Sequence, residues 1–347
     1  MHRKGTVAIE EAVLDPEGIS WMAETASLFA PGQDASRLKH HSLTQKLMDI
    51  HGQRLAEMDA EGVEYMLLSL TSPGAQGEKD PVRAAILATN ANDWLAGEVA
   101  KNPSRFGVLA ALSMHSPAQA AAELRRAVKD LGMFGAMVND FQTCGEDGAG
   151  KKYYDAPEYQ LFWHEVEVLG VPIYLHPRYP SSQELEGPHA RWGPRKHLVG
   201  AAVSFHLDLS FHLYALCSSG IFDRFPGVQI VAGHLGEGVP FNLWRADHWY
   251  NKPVKKATRP SREDYSYYFK HNVSVTTSGD FSTSGLKLCI EQIGIERCMF
   301  SIDYPYNSIK EANDWWKGVD LAPEDKELVG RRNAIRIFNL PLQICES

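Results

Sequence analysis

Cysteine is scarce in this 347-residue chain: five residues, odd in number, scattered from Cys144 to Cys345. No CxxC pair occurs, which excludes a zinc knuckle and a redox dithiol and points to a reducing compartment, the cytoplasm by default. No apolar run approaches the roughly 18 residues of a membrane helix, so no membrane partner is expected. Met1-His2-Arg3-Lys4 runs straight into an apolar stretch and acids, which predicts no cleaved leader. Basic patches are missing too. Lys and Arg number 35 against 43 Asp and Glu, a formal charge of -8, and the one short cluster, Lys252 to Lys256, is broken by Pro253 and Val254. Nucleic-acid binding needs clustered cations and is not expected. No solenoid period repeats along the chain.

What is present is a well-mixed globular composition, 44% hydrophobic and 22% charged, long enough for a large core. Eight short apolar runs recur: Thr6–Ile9, Tyr65–Leu70, Phe106–Leu112, Phe134–Val138, Val171–Leu175, Val228–Ala232, Val273–Thr277 and Cys298–Ile302. Most are continuous rather than alternating, as in strands covered on both faces. Between them lie helical spacings: Gln45–Glu61, Pro81–Ala100, Pro117–Leu131 and Pro157–Leu169, the last three with Pro near the first turn. Alternating strands and helices predict a (β/α)8 TIM barrel, one domain over 1–347, with a doubly wound open sheet as the rival. Ser20–His41 and Tyr179–Leu198 read as loop insertions after strands 1 and 5.

The strand ends carry the chemistry. The first run ends in Glu10-Glu11, the fifth in His176, the sixth in His234 and the eighth in Asp303. A barrel builds its active site at those ends. Glu10, His176 and Asp303 offer oxygen and nitrogen ligands suited to Mg, Mn or Zn, with coordination left open for substrate. Glu237 follows His234 by three residues and can orient its imidazole. Arg245, eight residues past Glu237, falls on a similar helical face and is a candidate carboxylate clamp.

These segments also carry a resemblance. Val7-Ala8-Ile9-Glu10-Glu11, Tyr174-Leu175-His176-Pro177, the stretch Gly233 to Arg245 and Ser301-Ile302-Asp303-Tyr304-Pro305 resemble the metal-dependent decarboxylase branch of the amidohydrolase superfamily. The fungal 2,3-dihydroxybenzoate decarboxylases look closest, the salicylate and γ-resorcylate decarboxylases next. The resemblance implies a homodimeric or homotetrameric amidohydrolase-type barrel that decarboxylates an ortho-hydroxybenzoate, 2,3-dihydroxybenzoate-like, to the phenol and CO2. It implies a divalent metal and no organic cofactor. Carried over by position, Glu10, His176 and Asp303 hold the metal. Asp303, His234 and Glu237 are catalytic, with Asp303 protonating the ring carbon before C–C cleavage. Arg245, Phe29, Asn139 and Tyr306 would bind substrate. Ala12 stands where the superfamily usually has a second histidine. Tyr306, Ala201-Ala202 and the 203–213 stretch, with His206 and Asp208, depart from the pattern near the pocket and point to a different ring substitution. A metal-dependent lactone or amide hydrolase and a non-catalytic barrel are the alternatives.

Overall fold

A computed structural model describes residues 5–18, 42–180, 184–185 and 191–343. The expected insertion at 20–41, with Phe29 in it, lies outside the described residues.

The strands run in parallel around one barrel. In chain order they are β1 (Thr6–Val13), β2 (Val63–Leu70), β3 (Phe106–Val108), β4 (Ala110–Ala111), β5 (Ala136–Asn139), the hairpin β6 (Gln142–Cys144) and β7 (Gly150–Lys152), then β8 (Ile173–His176), β9 (Ile230–Ala232), β10 (Val273–Thr276) and β11 (Cys298–Met299). Hydrogen bonding follows β1-β2-β3 and β4-β5-β8-β9-β10-β11, while β6 and β7 pair separately and antiparallel. The third run changes partner at Leu109. Its N–H bonds to Leu68 at 2.9 Å, and the N–H of Ala110 bonds to Gly135 at 2.9 Å. One sequence run therefore serves both sheets and joins them.

The other seam, between β11 and β1, is closed partly by side chains. The Ser301 hydroxyl accepts from the N–H groups of Ile9 and Glu10 at 3.0 and 2.9 Å. The buried Glu11 carboxylate accepts from the N–H groups of Ile302 and Tyr304 at 3.1 and 3.0 Å and from the Ser301 hydroxyl at 3.0 Å. The Ala12 N–H reaches the Tyr304 carbonyl at 2.8 Å. The architecture is thus the expected (β/α)8 barrel, not an open sheet.

Alternation along the strands sorts two cores. Val7, Ile9, Tyr65, Leu67, Met137, Tyr174 and Val231 pack inside the barrel, sealed at one end by Ala334, Ile335 and Phe338 of the last helix. Ala8, Met66, Leu68, Val138, Leu175 and Ala232 face the surrounding helices. The Pro-initiated helices form as expected over Pro81–Val99 and Pro117–Lys129, capped by Asp80 and Ser116. Gln45–Glu61 does not form one helix. It divides into Ser42–Met48 and Gln53–Glu61, because the Asp49 side chain accepts from the N–H groups of Gly52 and Arg54 and starts a new turn. No described helix is long and apolar enough to cross a membrane.

Candidate active site

Glu10 and His176 lie on β1 and β8, while His234 and Asp303 follow β9 and β11, all far apart in sequence. The barrel brings them to one end of a cavity of about 730 Å³. Glu10, His234 and Asp303 each place a ligand atom within 4.8 Å of the others. His176 stands against the same carboxylate: its Nε2 is 3.2 Å from Glu10 Oε1, and His234 Nε2 is 3.6 Å from that oxygen.

Each group is held by a second one. Glu10 Oε2 accepts from the Tyr174 hydroxyl, which is also 2.8 Å from Thr276 Oγ1, itself 2.8 Å from Ser278 Oγ. His176 Nδ1 lies 2.5 Å from the Pro177 carbonyl, an acceptor that leaves Nε2 with its lone pair free. His234 Nδ1 is 2.6 Å from Glu237 Oε1, and Glu237 is 4% exposed. Asn307 donates to Asp303 Oδ2 at 3.0 Å.

Electrostatics separate the three carboxyl and imidazole groups. Burial pushes Glu10 upward, but the His234 charge and the contacts of His176 and Tyr174 hold it down to about 2. Burial, reinforced by the charge of Glu10, pushes Asp303 well above the usual carboxylate range. Burial lowers His234, yet Glu237 and Glu10 outweigh it and raise the imidazole well above its ordinary value.

The backbone here is strained. Five consecutive residues, His234 to Gly238, have φ between 51° and 75°, and Asp303 has φ 70°. For non-glycine residues this is a costly region that persists only where surrounding contacts impose it. The left-handed turn aims His234 and Glu237 at the cavity. Gly233 is required for close approach: a Cβ there would sit 2.4 Å from Glu10 Oε2 and 3.0 Å from the Tyr174 hydroxyl. Gly233→Ala is expected to leave the fold intact by circular dichroism and to cut kcat/KM by about a hundred-fold through displacement of Glu10. Activity within twofold of the parent would contradict this packing.

The same turn corrects the placement of Arg245. The right-handed helix begins only at Val239, so helical phase cannot be counted from Glu237 to Arg245. Arg245 is exposed and lines an outer depression with Asn242, Trp249 and Lys255, away from the cavity. Asn139 ends β5 as the register partner of His176, but its amide turns to the Pro73 carbonyl and to Gln76 at 3.1 and 3.3 Å. It is not among the cavity-lining residues. Tyr306 does line the cavity, with its hydroxyl 2.5 Å from Thr71 Oγ1. Gly233 is legible in the sequence as a glycine that permits close approach, whereas the roles of Tyr174 and Asn307 escaped sequence reasoning. Only Asn307, four residues past Asp303, carried a local spacing signal.

The donor set fits a divalent cation. Glu10 Oε1 is buried without a hydrogen-bond donor among the described residues, and two imidazole Nε2 atoms converge on it. Oxygen and nitrogen ligands of this mixture suit Mg, Mn or Zn.

Residues 39–340 match the amidohydrolase family model. The chain belongs to the amidohydrolase family. It is 40% identical over 340 residues to the γ-resorcylate decarboxylase of Rhizobium sp. strain MTP-10005, covering 97% of this chain and 99% of that one. The crystal structure of a 2,6-dihydroxybenzoate decarboxylase complexed with 2,6-dihydroxybenzoate matches it with a TM-score of 0.88 and 40% identity, covering 97% and 100% of the two chains. The dihydroxybenzoic acid decarboxylase of Polaromonas sp. JS666, with bound manganese and the inhibitor 2-nitroresorcinol, matches with a TM-score of 0.88 and 36% identity over 98% of each chain.

Proposed function

We propose that this protein is a carboxy-lyase that removes CO2 from an ortho-hydroxybenzoate without oxidation, leaving the phenol. The observation that carries the reading is the gathering of Glu10, His176, His234 and Asp303 at one end of a cavity large enough for an aromatic acid, in a chain related over its length to hydroxybenzoate decarboxylases.

The chemistry follows from what the ring cannot do. Direct loss of CO2 leaves an aryl carbanion in the ring plane, which is prohibitively basic. Protonating the carboxyl-bearing carbon first avoids that species, and an ortho oxygen supplies the electron density to accept the proton. Glu10, His176 and Asp303 would hold the cation, whose positive charge keeps the phenol ionised and orients the ring when bound. Asp303 delivers the proton to the ring carbon. His234, fixed by Glu237, hydrogen-bonds the substrate oxygens and returns a proton to Asp303 after CO2 departs. The electron pair of the broken C–C bond restores the aromatic ring.

The finer readings rest on narrower support. Two of the relatives named above are decarboxylases of 2,6-dihydroxybenzoate (γ-resorcylate), so that isomer joins 2,3-dihydroxybenzoate as a candidate substrate. Free thiols at Cys144, Cys217, Cys289 and Cys298 fit a cytoplasmic enzyme. Exposed Phe211, Phe241 and Trp244 fit packing in a homodimer or homotetramer, whereas Trp316 belongs to the core against Phe300. One domain over 1–347 remains our reading of the chain.

The test is CO2 release from a panel of ortho-hydroxybenzoates with manganese supplied. The reading expects CO2 and the matching phenol, no turnover after dialysis against a chelator, and recovery on adding manganese back. Turnover that survives chelation, or a ring-opened acid as product, would overturn it.

A further inference from the structure

The cavity has a polar feature that decarboxylation as described does not use. His206 and Asp280 both line it. His206 stands in the first turn of the helix Ser204–Ser218, and Asp280 follows the turn after β10. The helix start is pinned: the Gly200 N–H donates to Ser204 Oγ at 2.8 Å, and the Phe205 ring meets Tyr179 edge-on at 5.0 Å. The backbone that carries His206 is therefore held, while its ring makes no hydrogen bond among the described residues. Asp280 and His206 share the lining of this one cavity with His234 and Gly279; burial raises the Asp280 carboxyl, and the positive charges of His234 and then His206 oppose this.

We propose that His206 and Asp280 form a second recognition point that selects a substrate with a ring hydroxyl beyond the one ortho to the reacting carboxyl. The inference rests on the proposed function and names the substrate feature its cavity reads. The pair offers a donor and an acceptor together: an imidazole N–H and a carboxylate. A phenolic hydroxyl satisfies both, accepting from His206 and donating to Asp280. A second carboxylate on the ring would meet the Asp280 charge. A methyl or methoxy group would leave Asp280 without a donor inside a partly desolvated site. Salicylate, which lacks a second hydroxyl, would leave both residues unpaired.

The experiment compares binding of salicylate with the 2,3-, 2,4-, 2,5- and 2,6-dihydroxy isomers by titration calorimetry on manganese-loaded protein, with turnover followed separately. The parent protein should bind one dihydroxy isomer about ten- to a hundred-fold more tightly than salicylate. His206→Ala and Asp280→Ala should each abolish that preference while leaving salicylate binding within about twofold. His206→Gln, which keeps an N–H donor, should restore part of it. An equal loss across the whole panel, salicylate included, overturns the inference and makes these residues structural. So does parent protein that binds salicylate as tightly as every dihydroxy isomer, or binds none of the panel. Selective binding without CO2 release would sustain the recognition point and defeat the proposed function. CO2 release with unchanged selectivity in the variants would do the reverse.

Discussion

Asp303→Asn lowers kcat by about a thousand-fold, the size of effect expected when a positioned proton donor is removed. Asn is the informative replacement because the backbone there has φ 70°, a conformation Asn tolerates better than Ala. Its side-chain oxygen can still accept from Asn307, which donates to Asp303 Oδ2 at 3.0 Å. What the amide lacks is a transferable proton. The assay is run at saturating manganese, so that a weaker ligand set is not mistaken for a missing acid. A residual rate within tenfold of the parent would remove Asp303 from the proton-donor role.

Glu11→Ala destabilises the protein by about 3–5 kcal/mol, read as an unfolding shift in thermal or denaturant melts. Glu11 is 0% exposed and stitches the seam between β11 and β1, accepting from three donors on residues 301, 302 and 304. Its loss strands those donors and removes the charge that most strongly supports the buried Arg54 guanidinium, which burial lowers to about 10 despite that charge. Glu11 is itself pushed up to about 7 by burial, against the Tyr304 and Ile302 N–H groups. Those hydrogen bonds therefore offset the cost of burying the acid only in part. A melting temperature within a degree of the parent would show that the ladder closes without it.

Much of this was legible in the residues because strand interiors and strand ends obey different rules. Continuous apolar runs marked the eight strands, and ionisable residues at their ends marked Glu10, His176, His234 and Asp303 before any geometry was known. The failures have physical causes. Glu10 faces the cavity and Glu11 the seam, because a register shift between Ala8 and Glu11 breaks the alternation that puts Val7 and Ile9 inside the barrel. No one-dimensional pattern says which does which. Arg245 was misplaced because helical phase was counted through residues 234–238, which wind left-handed. Tyr174 reaches Glu10 across 164 positions, a contact only the closed barrel creates. His206 was visible as an unexpected polar residue, but its place in the cavity depends on where the helix after β8 begins.

The most direct measurement is the fate of one hydrogen. Manganese-loaded protein is given an ortho-hydroxybenzoate in deuterium oxide, and the product is read by mass spectrometry and NMR. Protonation of the ring before C–C cleavage predicts one CO2 per phenol, with a single deuterium on the carbon that carried the carboxyl group. Deuterium absent from that carbon, or a product that retains the carboxyl carbon, would contradict it.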